Sequence, residues 1–367
     1  MKRCIPPLCC IPPLYGLTLA ITAFAIAADS AIAQSDIEPV NDLPNPYEAT
    51  DGHLRMPIGR DWGAVGAIEI DPDGKSIWVA ERCGSDSLNP RYTPRSCADS
   101  DLPVVLKFNS DGIMVRSFGG GLFAMPHGIH VDREGNVWVT DAPFTLTGDG
   151  PSNKGHHIIK FSPDGEILLR LGVPGETGND SRHFNMPSDV ITAPNGDIFV
   201  ADGHGGTSNA RIVKFSADGT FIKTWGELGS APGQFDGPHG LAFDSQGRLF
   251  VADRSNNRIQ IFDQDGNFLD EWYQFSRLSG IYIDENDILY GVDSESNEAR
   301  GREDWRRGVR VGSARTGEVW AFIPDPTDPR YMTSSGGEGV VADVDGVIYT
   351  AEVGNRAVKR YHRYIDP

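Results

Sequence analysis

The tripeptide Pro-His-Gly occurs twice in this chain, at Pro126-His127-Gly128 and Pro238-His239-Gly240. Each opens a variant of one sequence unit, clearest in M-P-H-G-I-H-V-D-R-E-G-N-V-W-V-T-D from Met125 to Asp141. Further variants run from Val65, Pro187, Leu278 and Gly337. Aligned on one another, the copies give a column that reads Gly66, His127, Ser188, His239, Ser279 and Glu338. Residues able to bind a metal alternate with residues too small to obstruct them. Two imidazoles, a carboxylate and an open position form a catalytic zinc set, and the same donors suit iron or manganese.

For those side chains to meet, the repeats must form a ring. Alternating apolar residues such as Ile129 and Val131, then Val137 and Val139, mark half-buried strands on either side of an Asp/Asn/Gly hairpin turn. A second strand pair follows in V-V-L-K-F-N-S-D-G-I-M-V-R-S-F, H-I-I-K-F-S-P-D-G-E-I-L-L-R-L, R-I-V-K-F-S-A-D-G-T-F-I-K-T-W and R-I-Q-I-F-D-Q-D-G-N-F-L-D-E-W, and less clearly in V-R-V-G-S-A-R-T-G-E-V-W-A-F. Four short strands per repeat define a propeller blade, so the expected fold is all-β, a six-bladed β-propeller. Alternate blades of such a ring differ by about 120 degrees, which brings His127, His239 and Glu338 to the axis. The competing reading keeps each Pro-His-Gly as a structural turn with its imidazole bonded to local backbone. His53, His130, His156, His157, His183 and His362 lie off the column and are expected to be solvated.

A second column, at the end of the second strand, reads Glu81, Asp141, Asp202, Asp253, Asp293 and Glu352, acids expected to cap the following turn. Just beyond it stand Arg82 and His204, in the blades flanking that of His127. Arg82 suits a substrate carboxylate at the channel mouth, or a local ion pair on the surface. His204, within D-G-H-G-G, is a candidate base or an ordinary loop histidine.

Residues 1–33 read as a signal peptide, with basic Lys2 and Arg3, an apolar stretch from Leu14 to Ala28 and the small-residue site Ala31-Ile32-Ala33. The alternative, a membrane anchor, needs a longer apolar run, so no stable membrane insertion is expected after cleavage. A secreted or periplasmic protein follows. The full chain of 367 residues carries a formal charge of −18. Such a surface repels nucleic acid and anionic lipid. Cleavage also removes Cys4, Cys9 and Cys10 and leaves Cys83 and Cys97. In an oxidising compartment these suggest a disulfide worth up to about 3 kcal/mol on the loop-entropy account, against two separate thiols or, less fittingly, a metal pair. Residues 34–60, broken by Pro39, Pro44, Pro46 and Pro57, read as a leader wrapping the domain; residues 61–367 form the propeller. The sixth blade ends after three strands, and its outer strand is expected from the leader. A monomer is expected.

The repeats resemble NHL repeats, and the run from Pro187 to Phe262 is similar to the lyase domain of peptidylglycine α-amidating enzymes. The likeness extends over nearly all of residues 65–362. It is most specific in M-P-H-G-I-H-V-D-R-E-G-N-V-W-V-T-D, D-G-H-G-G-T-S-N-A-R-I-V-K-F and W-G-E-L-G-S-A-P-G-Q-F-D-G-P-H-G-L. It implies a six-bladed propeller with zinc on three axial histidines, an arginine and a tyrosine, cleaving peptidyl-α-hydroxyglycine to an amide and glyoxylate. His127 and His239 match two of the zinc histidines, and Arg82 in V-A-E-R matches the arginine. Glu338 stands in place of the third histidine and His204 in place of the tyrosine. The family's calcium would lie on the main-chain oxygens of Ile68 and Ile129, but its aspartate is Gly339 here, so calcium is not expected.

The expected function is therefore a secreted lyase dependent on zinc or another divalent transition metal, acting on a small-molecule or peptide substrate. Two alternatives remain at this point. One is a lactonase-type hydrolase on the same propeller, which the paired axial histidines disfavour. The other is a non-catalytic NHL binding propeller, which needs neither the metal set nor Arg82.

Overall fold

The computed structural model describes residues 37–38, 40–84, 97–143, 153–297, 300–302, 304–326 and 337–364. The proposed signal segment lies outside them. Among the described residues, no helix is long and apolar enough to cross a membrane.

Six antiparallel sheets of four strands each make six blades. Their inner strands are Ala64–Ile70, Pro126–Val131, Pro187–Thr192, Pro238–Phe243, Gly280–Ile283 and Gly337–Ala342, numbered here as blades one to six. Neighbouring inner strands touch, and the sixth meets the first, closing the ring. The outer strand of blade six is Tyr47–Thr50, from the leader, paired with Ala357–Arg363. Closure with an early strand leaves the last blade without a three-stranded edge. The leader also reaches its neighbours, through the Asn41 side-chain amide on the Asp304 carbonyl at 2.6 Å and an ion pair between Arg60 and Glu81 at 2.5 Å.

One apolar cluster fills each of the six spaces between adjacent blades. Between blades one and two it holds Trp78, Val105, Val137 and Phe161, all fully buried. The buried tryptophans of blades one and two have partners for their indole N–H groups. The Trp78 indole donates to Asp71 at 2.8 Å, and Lys107 reaches the same carboxylate at 2.6 Å. Blade two repeats the arrangement with Trp138, Asp132 and Lys160. The repeated sequence thus encodes a repeated interface, each blade burying a face that it cannot bury alone.

Candidate metal centre at the propeller axis

The histidines reach the axis because the inner strands slip register where they sit. Pairing with the second strand shifts between Pro126 and Ile129, between Pro238 and Leu241, and between Gly337 and Gly339. Blades one and three shift at the same level, around Gly66 and Ser188. Such a bulge twists the strand and re-aims one side chain. Glycine after the histidine lets the next blade come close: a Cβ at Gly128 would meet the Ser188 carbonyl oxygen at 2.6 Å.

That approach orients both rings. His127 Nδ1 donates to the Ser188 carbonyl at 2.8 Å, and His239 Nδ1 donates to the Ser279 carbonyl at 2.7 Å. Each neutral ring is left with its Nε2 lone pair facing the axis. His127 Nε2 is buried without a hydrogen-bond partner. Glu338 Oε1 lies 3.2 Å from His239 Nε2 and 3.7 Å from His127 Nε2. Lone pairs therefore meet lone pairs.

His204 joins the same cluster. Its Nε2 is 3.2 Å from His239 Nε2, and the three imidazole centroids stand 4.8 Å apart in every pairing. Metal-capable atoms of His127, His204, His239 and Glu338 all fall within 4.8 Å of one another. Ligands about 2.0–2.1 Å from a tetrahedral zinc stand about 3.3 Å apart, so the spacing of this set fits such an ion.

Electrostatics keep the imidazoles neutral. Burial, then the neighbouring charges, pushes His127 and His204 well below the usual imidazole range and lowers His239. Burial also opposes ionisation of Glu338. The close approach of the His239 ring and the surrounding charges, Arg254 among them, outweigh that cost and hold its pKa below the ordinary carboxylate range.

Arg254 was not singled out by the sequence reading. It is buried, lies 3.7 Å from Glu338, and donates from Nη2 to His204 Nδ1 at 3.2 Å and to the His204 carbonyl at 3.3 Å. Its signal was present, since V-A-D-R at 251–254 is the blade-four counterpart of V-A-E-R at 79–82. Blades one and four face each other across the ring, so Arg82 and Arg254 flank the axis from opposite sides. Arg82 is 4% exposed and donates from Nε to the Pro126 carbonyl at 3.2 Å. Gly66 makes room for it: a Cβ there would stand 3.1 Å from Arg82 Nη2.

Two expectations need correction. The acids ending the second strands mostly hold the segment before their own inner strand rather than the turn that follows. Asp141 accepts from the backbone N–H groups of Ala124 and Met125, Asp202 from that of Asn185 and Asp253 from that of Asp236. They thereby fix the lead-in to each axial residue; Asp293 does cap its following turn, at Ser296. Nor are the off-column histidines all solvated. His157 is fully buried and stacks on Phe123 at 5.8 Å, because it begins a strand at a blade interface. The paired cysteines are joined: Cys83 and Cys97 form a disulfide.

The NHL repeat family matches residues 235–262. A Xenopus laevis protein named peptidyl-glycine alpha-amidating monooxygenase A is 35% identical over 236 residues, 58% of this chain and 23% of its own length. A Caenorhabditis elegans protein named probable peptidyl-alpha-hydroxyglycine alpha-amidating lyase is 36% identical over 246 residues, 64% of this chain and 61% of its own. The chain thus spans less than two thirds of either relative. Among solved structures, a Xanthomonas campestris gluconolactonase superposes with a TM-score of 0.55 at 15% identity, covering 83% of this chain and 87% of that one. That likeness concerns the fold alone. In sequence and architecture together, the chain is a six-bladed propeller with an NHL-repeat match at residues 235–262, similar to proteins named as peptidyl-α-hydroxyglycine α-amidating lyases.

Proposed function

We propose that this protein is a metal-dependent carbon–nitrogen lyase that cleaves peptidyl-α-hydroxyglycine-like substrates to an amide and glyoxylate. The observation that carries the reading is the convergence at the axis of two imidazole Nε2 atoms and a buried carboxylate, with an arginine on either side. A binding module has no use for such a set, since lone pairs facing one another in a buried space are costly without a cation between them.

His127, His239 and Glu338 would hold zinc or another divalent transition metal, which supplies Lewis acidity at the substrate's α-hydroxyl oxygen. Arg82 holds the glycolate carboxylate through paired charge-assisted hydrogen bonds and fixes the α-carbon beside His204. His204 takes the hydroxyl proton at Nε2. The O–H electrons form the glyoxylate carbonyl, the C–N bond breaks, and its electron pair stays on the amide nitrogen, to which His204 returns the proton. The balance needs neither water nor an oxidant.

Arg254 governs when His204 can act. With Nη2 donating to Nδ1, the ring proton sits on Nε2, where His239 Nε2 accepts it. Base work at Nε2 requires the proton on Nδ1 and Arg254 turned to the His204 carbonyl, which it already reaches. His204 is thereby set apart from His127 and His239, whose Nδ1 protons are engaged by carbonyl oxygens, and it suits proton transfer better than ligation.

The signal-like N-terminus, together with a disulfide, supports secretion or a periplasmic location. Purified, metal-loaded protein given an N-acylated α-hydroxyglycine should release glyoxylate, more slowly when chelator is added. Lactone or ester opening with glyoxylate release no faster than in buffer would replace this reading with a hydrolase.

A further inference from the structure

We infer that the Cys83–Cys97 disulfide is a positioning element for Arg82: it clamps the arginine to the segment that carries His127, and its loss loosens the grip on a substrate carboxylate without dispersing the axial histidines. The inference rests on the role for Arg82 proposed above.

Arg82 is the last residue of its strand, and Cys83 follows directly. The backbone at Cys83 has φ 42, a left-handed conformation that a residue with a side chain adopts reluctantly. Something must hold it, and the covalent bond to Cys97 does so; both cysteines are buried, with Cα atoms 5.5 Å apart. Cys97 N–H in turn donates to the Ala124 carbonyl at 2.5 Å. Ala124 lies two residues before Pro126, whose carbonyl accepts from Arg82 Nε at 3.2 Å.

These links close a circuit from Arg82 through Cys83, Cys97, Ala124 and Pro126 back to the Arg82 side chain. Two of its joints are hydrogen bonds to backbone carbonyls; the disulfide is its one covalent cross-link, joining two points of blade one between its second and third strands, and the Cys97 N–H carries the connection on to the segment before the inner strand of blade two. The opposite side of the turn is equally confined, since a Cβ at Gly84 would stand 1.8 Å from Gly63 N. The rest of the segment closed by the bridge, 85–96, lies outside the described residues. The metal set depends on other contacts: His127 is held by Ser188 of blade three, His239 by Ser279 of blade five, and Glu338 belongs to blade six. Loss of the bridge is therefore expected to act on Arg82 and to spare metal binding.

Two measurements on full-length mature protein test this. The first needs no turnover: in protein labelled with ¹⁵N-arginine, the Arg82 Nε–H, assigned through Arg82→Lys, should exchange slowly with solvent. In Cys83→Ser, Cys97→Ser protein it should exchange at least tenfold faster, with zinc content unchanged. Retained protection would overturn the inference. The second is a double-mutant cycle on glyoxylate release. Removing both cysteines should lower kcat/KM about tenfold, chiefly through KM, in otherwise native protein, and less than twofold in an Arg82→Ala background. Equal losses in both backgrounds would show the bridge acting on the site at large and would likewise overturn the inference. Should the double variant not fold, native protein that has been reduced, alkylated and reloaded with zinc takes its place in both measurements. Absence of glyoxylate from the native enzyme would refute the proposed reaction, and the exchange measurement alone would then decide the role of the bridge.

Discussion

The ends of blades three and four and the axis are both crowded with buried polar side chains, yet they treat them in opposite ways. At the end of blade four, Arg258 is 2% exposed and has a partner for every donor group: Asp253 at 2.8 Å, Glu271 at 2.7 Å, and the carbonyls of Ser230, Ala231 and Gln234. Blade three repeats this with Arg211 and Asp202 at 2.8 Å. At the axis, His127 Nε2 has no hydrogen-bond partner, and the nearest groups are other acceptors. Satisfied polar networks specify a structure, whereas a group of acceptors facing one another calls for something from outside the chain. What sets the axis apart is the convergence of four metal-capable side chains, since single buried atoms without a hydrogen-bond partner, such as His157 Nε2, also occur in the scaffold.

Breaking the two regions should accordingly have different consequences. The largest effect is expected at the axis. His127→Ala or His239→Ala should release most of the metal and lower glyoxylate formation by about 10³-fold or more, while the thermal unfolding midpoint of the metal-free protein changes little. Glu338→His should keep or tighten zinc, since a third imidazole replaces the carboxylate. Next comes His204→Ala, expected to cost about 10²-fold in kcat with metal content retained, if His204 moves the proton. Loss of metal in that variant would instead make His204 a ligand. Arg82→Ala should raise KM and lower kcat/KM while metal content stays constant.

At the blade ends the loss should appear in stability and not in the site. Arg258→Met leaves the Asp253 carboxylate buried without its cation and should destabilise the fold by about 3–5 kcal/mol in denaturant titrations. Protein that remains folded should still bind one metal per chain.

The smallest effect concerns pH. Burial pushes the imidazoles of His156 and His157 down to about 4. Between the unfolded value near 6.5 and that folded value, the unfolded chain binds protons that the native one does not. Their contribution to stability is therefore present above pH 6.5 and lost as pH falls toward 4. Asp141, raised to about 6 by burial, acts in the opposite direction below pH 6. It is common to wild type and a His157→Gln variant, so it cancels in their difference. The stability lost between pH 7 and 5 should be smaller in that variant, by on the order of 2 kcal/mol or less.

The ring was legible because its physics is periodic. Alternating apolar residues and Asp/Asn/Gly turns recur in each copy, and the alignment of copies gave the column holding His127, His239 and Glu338 at one level of the axis. Arg254 was missed although it occupies the same repeat position as Arg82, because it stands in the blade of His239 and not in the two blades that flank that of His127. The union of His204 with the axial cluster was hidden for a different reason. It depends on the chain after Asp202 turning inward at Gly203, where φ is 152 and a Cβ would stand 1.9 Å from the Asn209 carbonyl oxygen. Loop geometry of that kind leaves no periodic trace in sequence. The burial of His157 was likewise invisible, since a histidine at the start of a strand reads alike whether a blade interface or solvent lies beside it.

The central claim is that the axis is built to hold a cation, and metal content tests it most directly. Protein purified without chelator, dialysed and analysed by mass spectrometry of its elements should carry one divalent transition metal per chain, and the His127→Ala, His239→Ala double variant close to none. Full metal occupancy in the double variant, or a wild-type protein that binds no zinc when zinc is offered in excess, would contradict the account.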